Sequence, residues 1–269
     1  MSIFPLLLSA LFSLVLLFSK IALGSEPKLN SRSSTETVSI LDLKATIYDA
    51  KEGSKKALYL YERHHRKAQS SDFYEVRFFD AKSKKPAALE WITYENGILK
   101  EYRLEHKQTG ENSIVINKDG NLILKHKKKG ESNWDSVSYP YSPSFIVPAQ
   151  ILDYLNLNWK QLKRNQKLTV KLAVPNFVNY FTFKYRLDEI NKSQQTAKVA
   201  FVPSNIFINM FADKVELMLD TKNNRVLVAK GPTLLYHKDA QLIARTVFDY
   251  SHRADDQQLP SKTVTPQKD

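Results

Sequence analysis

The sequence predicts a mainly β protein, built as an antiparallel curved sheet, half-barrel or barrel with one or two short helices. Three observations predict it. From Val38 onward apolar and polar residues alternate with period two, turn residues punctuate the alternating runs, and every glycine beyond Gly24 is expected between runs. Successive side chains on a strand point to opposite faces, so this alternation makes one core face and one wet face.

The elements follow in order. Leu41, Leu43, Ala45 and Ile47 alternate with Asp42, Lys44, Thr46 and Tyr48. The runs 57–61 and 73–79 carry apolar residues on both faces. Trp91–Tyr94 and Ile98–Leu104 are joined by Glu95-Asn96-Gly97, and Ile114–Ile116 and Leu122–Leu124 flank Asn117-Lys118-Asp119-Gly120-Asn121. The second of these is the strongest hairpin signal, because glycine tolerates the positive φ of a tight turn. Pro148 suits a first helical position, and Ile151, Leu152 and Leu155 then share a face, giving a helix over 149–155 with a further turn through Trp159 to Leu162. Leu168, Val170, Leu172 and Val174 make another strand. Pro203-Ser204-Asn205 either caps a short helix carrying Ile206, Phe207, Met210 and Phe211 or leads into a strand. A last hairpin joins Val215–Leu219 to Val226–Val228 through residues 220–224. A break near 142–148 divides the strands into two groups, read as two lobes of one sheet.

Residues 1–24 read as a signal peptide: 3–18 are almost wholly apolar, and Ala22 and Gly24 suit cleavage after Gly24. The region before the apolar run lacks Lys or Arg and Lys20 follows it, so an uncleaved anchor through 3–18 is the alternative. Residues 25–37 read as a linker, 38–250 as the β-rich domain and 251–269 as a disordered tail. The 269 residues include no cysteine, which removes disulfides, thiol catalysis and Cys-based zinc sites and points to a bacterial envelope, periplasmic or secreted. The net charge of +12 favours anionic partners.

Phe177 to Tyr185 puts Phe181, Phe183 and Tyr185 on one face and Val178 and Tyr180 on the other. A strand apolar on both sides must be covered on both sides. Ordinary core, supplied by helix and loops, is one cover. The other is an apolar ligand on a concave sheet, bound by Phe181, Phe183 and Tyr185, with Ile206, Phe207, Met210 and Phe211 as its rim. Lys125, Lys127, Lys128 and Lys129 surround His126 in a basic run that reads as a solvated hairpin end or as a contact for anionic headgroups. His64 and His65 are adjacent on a strand and cannot easily share a metal, and His106 and His237 read as half-exposed surface residues. No HExxH, GxSxG or phosphate-loop pattern occurs, so no catalytic residue, cofactor or metal is expected.

The layout has a family likeness. A β-meander leads to Phe145-Ile146-Val147-Pro148-Ala149-Gln150-Ile151-Leu152-Asp153-Tyr154-Leu155, then Trp159, a strand ending at Pro175, and the late pair 216–220 and 225–228 followed by Gly231-Pro232-Thr233. This resembles exported bacterial proteins of the DUF3108 type and, more distantly, lipoprotein carriers of the LolA/LolB kind. The resemblance implies a periplasmic half-barrel or barrel with a helix near its mouth and implies no catalytic residue. The expected function is a non-enzymatic binder of lipid, lipopolysaccharide or another apolar envelope ligand, with no nucleic acid as partner. The alternatives are a self-packed structural protein that docks an envelope protein and, third, an envelope-polymer hydrolase.

Overall fold

The computed structural model describes residues 39–51, 55–205 and 214–251. The leader and linker expected over 1–37, the rim residues Ile206, Phe207, Met210 and Phe211, and the tail beyond Ser251 lie outside the described residues.

The first strand group is a meander of β1 (Ile40–Asp49), β2 (Tyr59–Ala68), β3 (Ser71–Asp80), β4 (Pro86–Glu95), β5 (Ile98–His106), β6 (Glu111–Lys118), β7 (Asn121–Lys127) and β8 (Asp135–Pro140). The second begins with β9 (Phe145–Ile146), a 3-10 turn (Pro148–Gln150), α1 (Ile151–Leu157) and α2 (Trp159–Asn165). It continues with β10 (Lys167–Val174), another 3-10 turn (Pro175–Phe177), β11 (Asn179–Asn191), β12 (Thr196–Pro203), β13 (Val215–Asp220), β14 (Arg225–His237) and β15 (Ala240–Asp249). All the strands among the described residues belong to one sheet, in the order β8-β7-β6-β5-β4-β3-β2-β1-β15-β14-β13-β12-β11-β10-β9. Among the described residues every pairing is antiparallel except the short β9–β10 contact.

The first and last strands therefore meet mid-sheet, Ala45 opposite Phe248 and Ile47 opposite Thr246. The break expected near 142–148 is the place where the chain leaves one outer edge, β8, and arrives at the other, β9. Curvature brings those edges together: the turn Pro175–Phe177 packs on β6 and β7 although β10 and β7 are far apart in the pairing order. Side chains, not a ladder, bridge the gap. The Tyr139 hydroxyl donates to Asn179 Oδ1 at 3.1 Å, and the Tyr139 and Phe145 rings meet Tyr180 edge-on at 4.8 and 5.0 Å.

Local chemistry explains the punctuation. The β4–β5 and β6–β7 hairpins turn on Asn96-Gly97 and Asp119-Gly120, both residues of each pair at positive φ, the backbone of a type I′ turn. The Val147 amide donates to Gln150 Oε1 at 2.8 Å before α1, and α2 ends on Gln166 at φ 60° with Lys163 and Arg164 in its last turn, where cations suit the helix dipole. Gly231 departs from the expectation that glycines fall between strands. It lies within β14, where a Cβ would come 2.9 Å from the Lys214 carbonyl oxygen and 3.0 Å from Val215 Cα. Only glycine lets the backbones approach that closely.

Two cores result. One gathers Ile47, Val76, Ile92, Tyr102, Val115, Leu122 and Leu124 from the first strand group with Leu235 and Leu242. The other gathers Leu155, Trp159 and Leu162 of the helices with Val170, Tyr185, Phe201, Leu217 and Val226. β10 and β11 face both: Ala173 and Tyr180 join the first core, Leu172 and Tyr185 the second. The two-faced apolar pattern of β11 thus has a cover on each side, and α1 and α2 supply part of it.

Candidate functional site

Most buried charge sits on the inner face of the first strand group. In β2 the parity of Tyr59 and Tyr61 continues to Arg63, which is 4% exposed. Strict alternation would turn Asp42 outward with Lys44. A bulge between Leu41 and Leu43 opposite β2 instead buries Asp42, and its carboxylate accepts from Arg63 Nε at 3.1 Å and Nη2 at 2.9 Å. Arg63 Nη1 donates to both oxygens of Asp153 on α1, at 2.9 and 3.1 Å. The guanidinium also lies 5.3 Å from the Tyr74 ring centroid. Burial works against its charge, yet Asp153, Tyr61 and Asp42 outweigh burial and hold Arg63 well above its usual value. Burial pushes the Tyr61, Tyr74 and Tyr94 hydroxyls up.

Arg63 opens a cross-strand row that runs Arg63, Val76, Glu90, Leu104, Ser113, His126 from β2 to β7. Glu90 is 3% exposed and accepts from the Tyr102 hydroxyl at 2.7 Å. Burial drives its carboxyl up to about 7, against the lowering effect of that hydrogen bond. At the far end Ser113 Oγ lies 3.0 Å from His126 Nδ1, both buried.

Two histidine expectations are corrected here. His126 is not part of a solvated hairpin end: period two in β7 places it inward with Leu122 and Leu124, and Lys125 and Lys127 on the opposite face. His106 is not half-exposed. It is buried, its Nε2 lies 2.6 Å from the Leu234 carbonyl, and its Nδ1 accepts from the Thr109 amide at 3.2 Å. His237 is half-buried. His65 pairs with Asp72 at 2.9 Å and stacks on Tyr74. Among the described residues no group of three or more His, Cys, Asp or Glu could hold a metal.

The predicted aromatic face is only partly open. Tyr185 is fully buried, and its hydroxyl donates to the Ile151 carbonyl at 2.8 Å, so the ring is enclosed beneath α1. Phe183 stacks on Phe201 at 4.7 Å. Phe181 is half-buried and meets Phe177 edge-on at 6.3 Å, and Phe177 is 55% exposed. Lys171 Nζ lies 5.2 Å from the Phe145 ring and 5.6 Å from the Tyr180 ring, on the neighbouring strand surface. The basic residues are on other elements: Lys125 and Lys127 on β7, Lys128 and Lys129 just beyond it. Lys127 Nζ lies over the Trp134 ring at 5.1 Å, and the Lys129 stem lies against Gly110.

Asp42, Arg63, Glu90, Ser113 and Asp153 were not singled out from sequence. For Arg63, Glu90 and Ser113 a signal existed: each occupies a core parity, beside Tyr61, between Ala88 and Ile92, and beside Val115. The arrangement is three separate polar clusters: Arg63 with both aspartates, Glu90 with Tyr102, and Ser113 with His126. Both aspartates engage Arg63, and neither of two open depressions, one around Ile98 and Lys118 and one around Tyr59, Gln108 and Tyr236, is lined by Glu90, Ser113 or His126.

No family model matches the chain, and no curated protein does. A crystal structure of a beta-barrel-like protein of domain of unknown function DUF1849 from Brucella abortus is similar at a TM-score of 0.36 and 10% identity, covering 78% of this chain and 98% of that one.

Proposed function

We propose that the protein is an exported, non-enzymatic envelope protein that engages a lipid or another amphipathic envelope ligand at the aromatic corner formed by Phe177, Phe181 and Phe183. The observation that carries this reading is the exposed Phe177 ring set against Phe181 at the start of β11. An exposed aromatic costs free energy in water that an apolar contact returns. The positive net charge favours an anionic surface. Export rests on the apolar leader at 3–18, and the likeness in layout to DUF3108-type proteins and lipoprotein carriers points the same way. The ligand sits on the corner, not beneath the helices, because α1 and α2 already occupy the inner face of the second strand group.

Co-sedimentation of the mature protein with phosphatidylglycerol vesicles and with phosphatidylcholine vesicles tests the proposal. Binding to the anionic vesicles should fall about tenfold in Phe177→Ala, the loss expected for one buried aromatic. Vesicle binding that is indifferent to Phe177 and Phe181 overturns it. The filling of the inner face by α1 and α2 favours a second reading, a self-packed structural protein that docks an envelope partner; absence of vesicle binding and of lipid in solvent extracts supports that one.

A further inference from the structure

We propose that Glu90 is a proton-controlled latch of the first strand group: its carboxyl carries a proton while β4 is packed in place, and losing that proton loosens the inner face around it.

The argument is one of surroundings. Glu90 is 3% exposed and lies between Ala88 and Ile92, both buried, on the core face of β4. Across the strands its neighbours in the row are Val76 on β3 and Leu104 on β5, neither able to donate a hydrogen bond from its side chain. Among the described residues its one side-chain donor is the fully buried Tyr102 hydroxyl at 2.7 Å. A buried carboxylate needs a cation or several donors, and otherwise keeps its proton.

The charged and titratable groups on the surrounding elements do not supply that cation. Arg63 lies two strands away in the same row, roughly 10 Å at ordinary strand spacing. Its guanidinium is already committed to Asp42 on β1 and Asp153 on α1. Those two carboxylates outnumber it, so the cluster as a whole adds negative charge. Tyr61 on β2 is a neutral phenol. On β3, Tyr74 is likewise a neutral phenol, and on β5 His106, opposite Ala88, is engaged by the Leu234 carbonyl and the Thr109 amide. On the other side of the row, beyond Leu104, His126 on β7 is engaged by Ser113 on β6. Burial accordingly raises the Glu90 carboxyl from 4.5 to about 7.

The sign of the effect follows. The folded protein holds a proton on Glu90 that the unfolded chain releases, so the stability tied to this group is complete below 4.5 and lost as pH climbs to about 7. In that window the unfolding constant should rise up to about tenfold per pH unit, and above it the dependence should level off. Other groups titrate too, and a ratio between variants cancels them.

Urea denaturation of the full chain across this range, wild type against Glu90→Gln, reads the latch. Glutamine keeps the shape and the acceptor for Tyr102 but has no proton to lose. The wild-type to variant ratio of unfolding constants should climb with pH and then flatten near 7, and amide protection in β4 and β5, with the intrinsic pH dependence of exchange divided out, should fall over the same window in the wild type alone. A ratio constant with pH overturns the proposal. Should the glutamine variant fail to fold, Tyr102→Phe serves. It retains the carboxyl and removes the donor that favours its ionised form, so the window should extend to higher pH; an unmoved window also overturns the proposal.

Discussion

Arg63 on β2 and Asp153 on α1, ninety positions apart in the chain, share two hydrogen bonds of 2.9 and 3.1 Å. This contact ties the helix to the first strand group, while Leu155, in the same helix, packs in the other core. Arg63→Met should be the most damaging single change in the network. It leaves Asp42 and Asp153 facing an apolar interior, and removing one partner of a buried ion pair costs about 3–5 kcal/mol, a large share of a typical domain's stability. Asp153→Asn should cost less, about 1–2 kcal/mol, because Asp42 still compensates the guanidinium. Urea denaturation of both variants checks the order; equal or negligible losses would mean the network is indifferent to its charges.

Gly231 and Gly97 make a controlled pair. Gly231→Ala should destabilise by about 1–3 kcal/mol, the usual cost of overpacking, because its Cβ would strike the backbone of Lys214 and Val215. Gly97→Ala meets no atom within 4 Å, and its cost should be only that of a side chain at φ 78°, about 1 kcal/mol. Thermal melts of the two variants separate contact from conformation: the first should lose more.

Tyr185 and Phe177 lie on the same stretch of chain yet should answer differently. Tyr185→Phe removes the bond to the Ile151 carbonyl and should lower stability by about 1 kcal/mol without altering vesicle binding. Phe177→Ala should leave stability within about 0.5 kcal/mol, as exposed sites do, and reduce binding. The reverse pattern would reassign both residues.

Much of this architecture was legible because strands and tight turns are local. The hairpins at Asn96-Gly97 and Asp119-Gly120, the helix after Pro148 and the turn through Trp159 all sit where side-chain period and turn chemistry place them. Tyr180 and Tyr185 on opposite faces of β11 announced a doubly covered strand, though not what covers it. Other features depend on long-range pairing. The bulge that turns Asp42 inward is one extra residue opposite Arg63, and alternation read along β1 alone assigns that carboxylate to water. His126 was misread for another reason: four surrounding lysines suggested a wet hairpin end, while the parity it shares with Leu122 and Leu124 pointed inward. Asp153 carries no marking in the sequence, since its partner is ninety positions upstream.

The pairing of β1 with β15 has a consequence for how the chain matures. β1 cannot acquire its second neighbour until β15 has been made, so the centre of the architecture is completed only after residues 240–249 are available. Until then Ala45 and Ile47 sit on an unfilled margin able to recruit a stranger, the state in which such chains aggregate. Truncation before Ala240 should therefore forfeit the solubility of both halves together, instead of releasing an intact amino-terminal fragment.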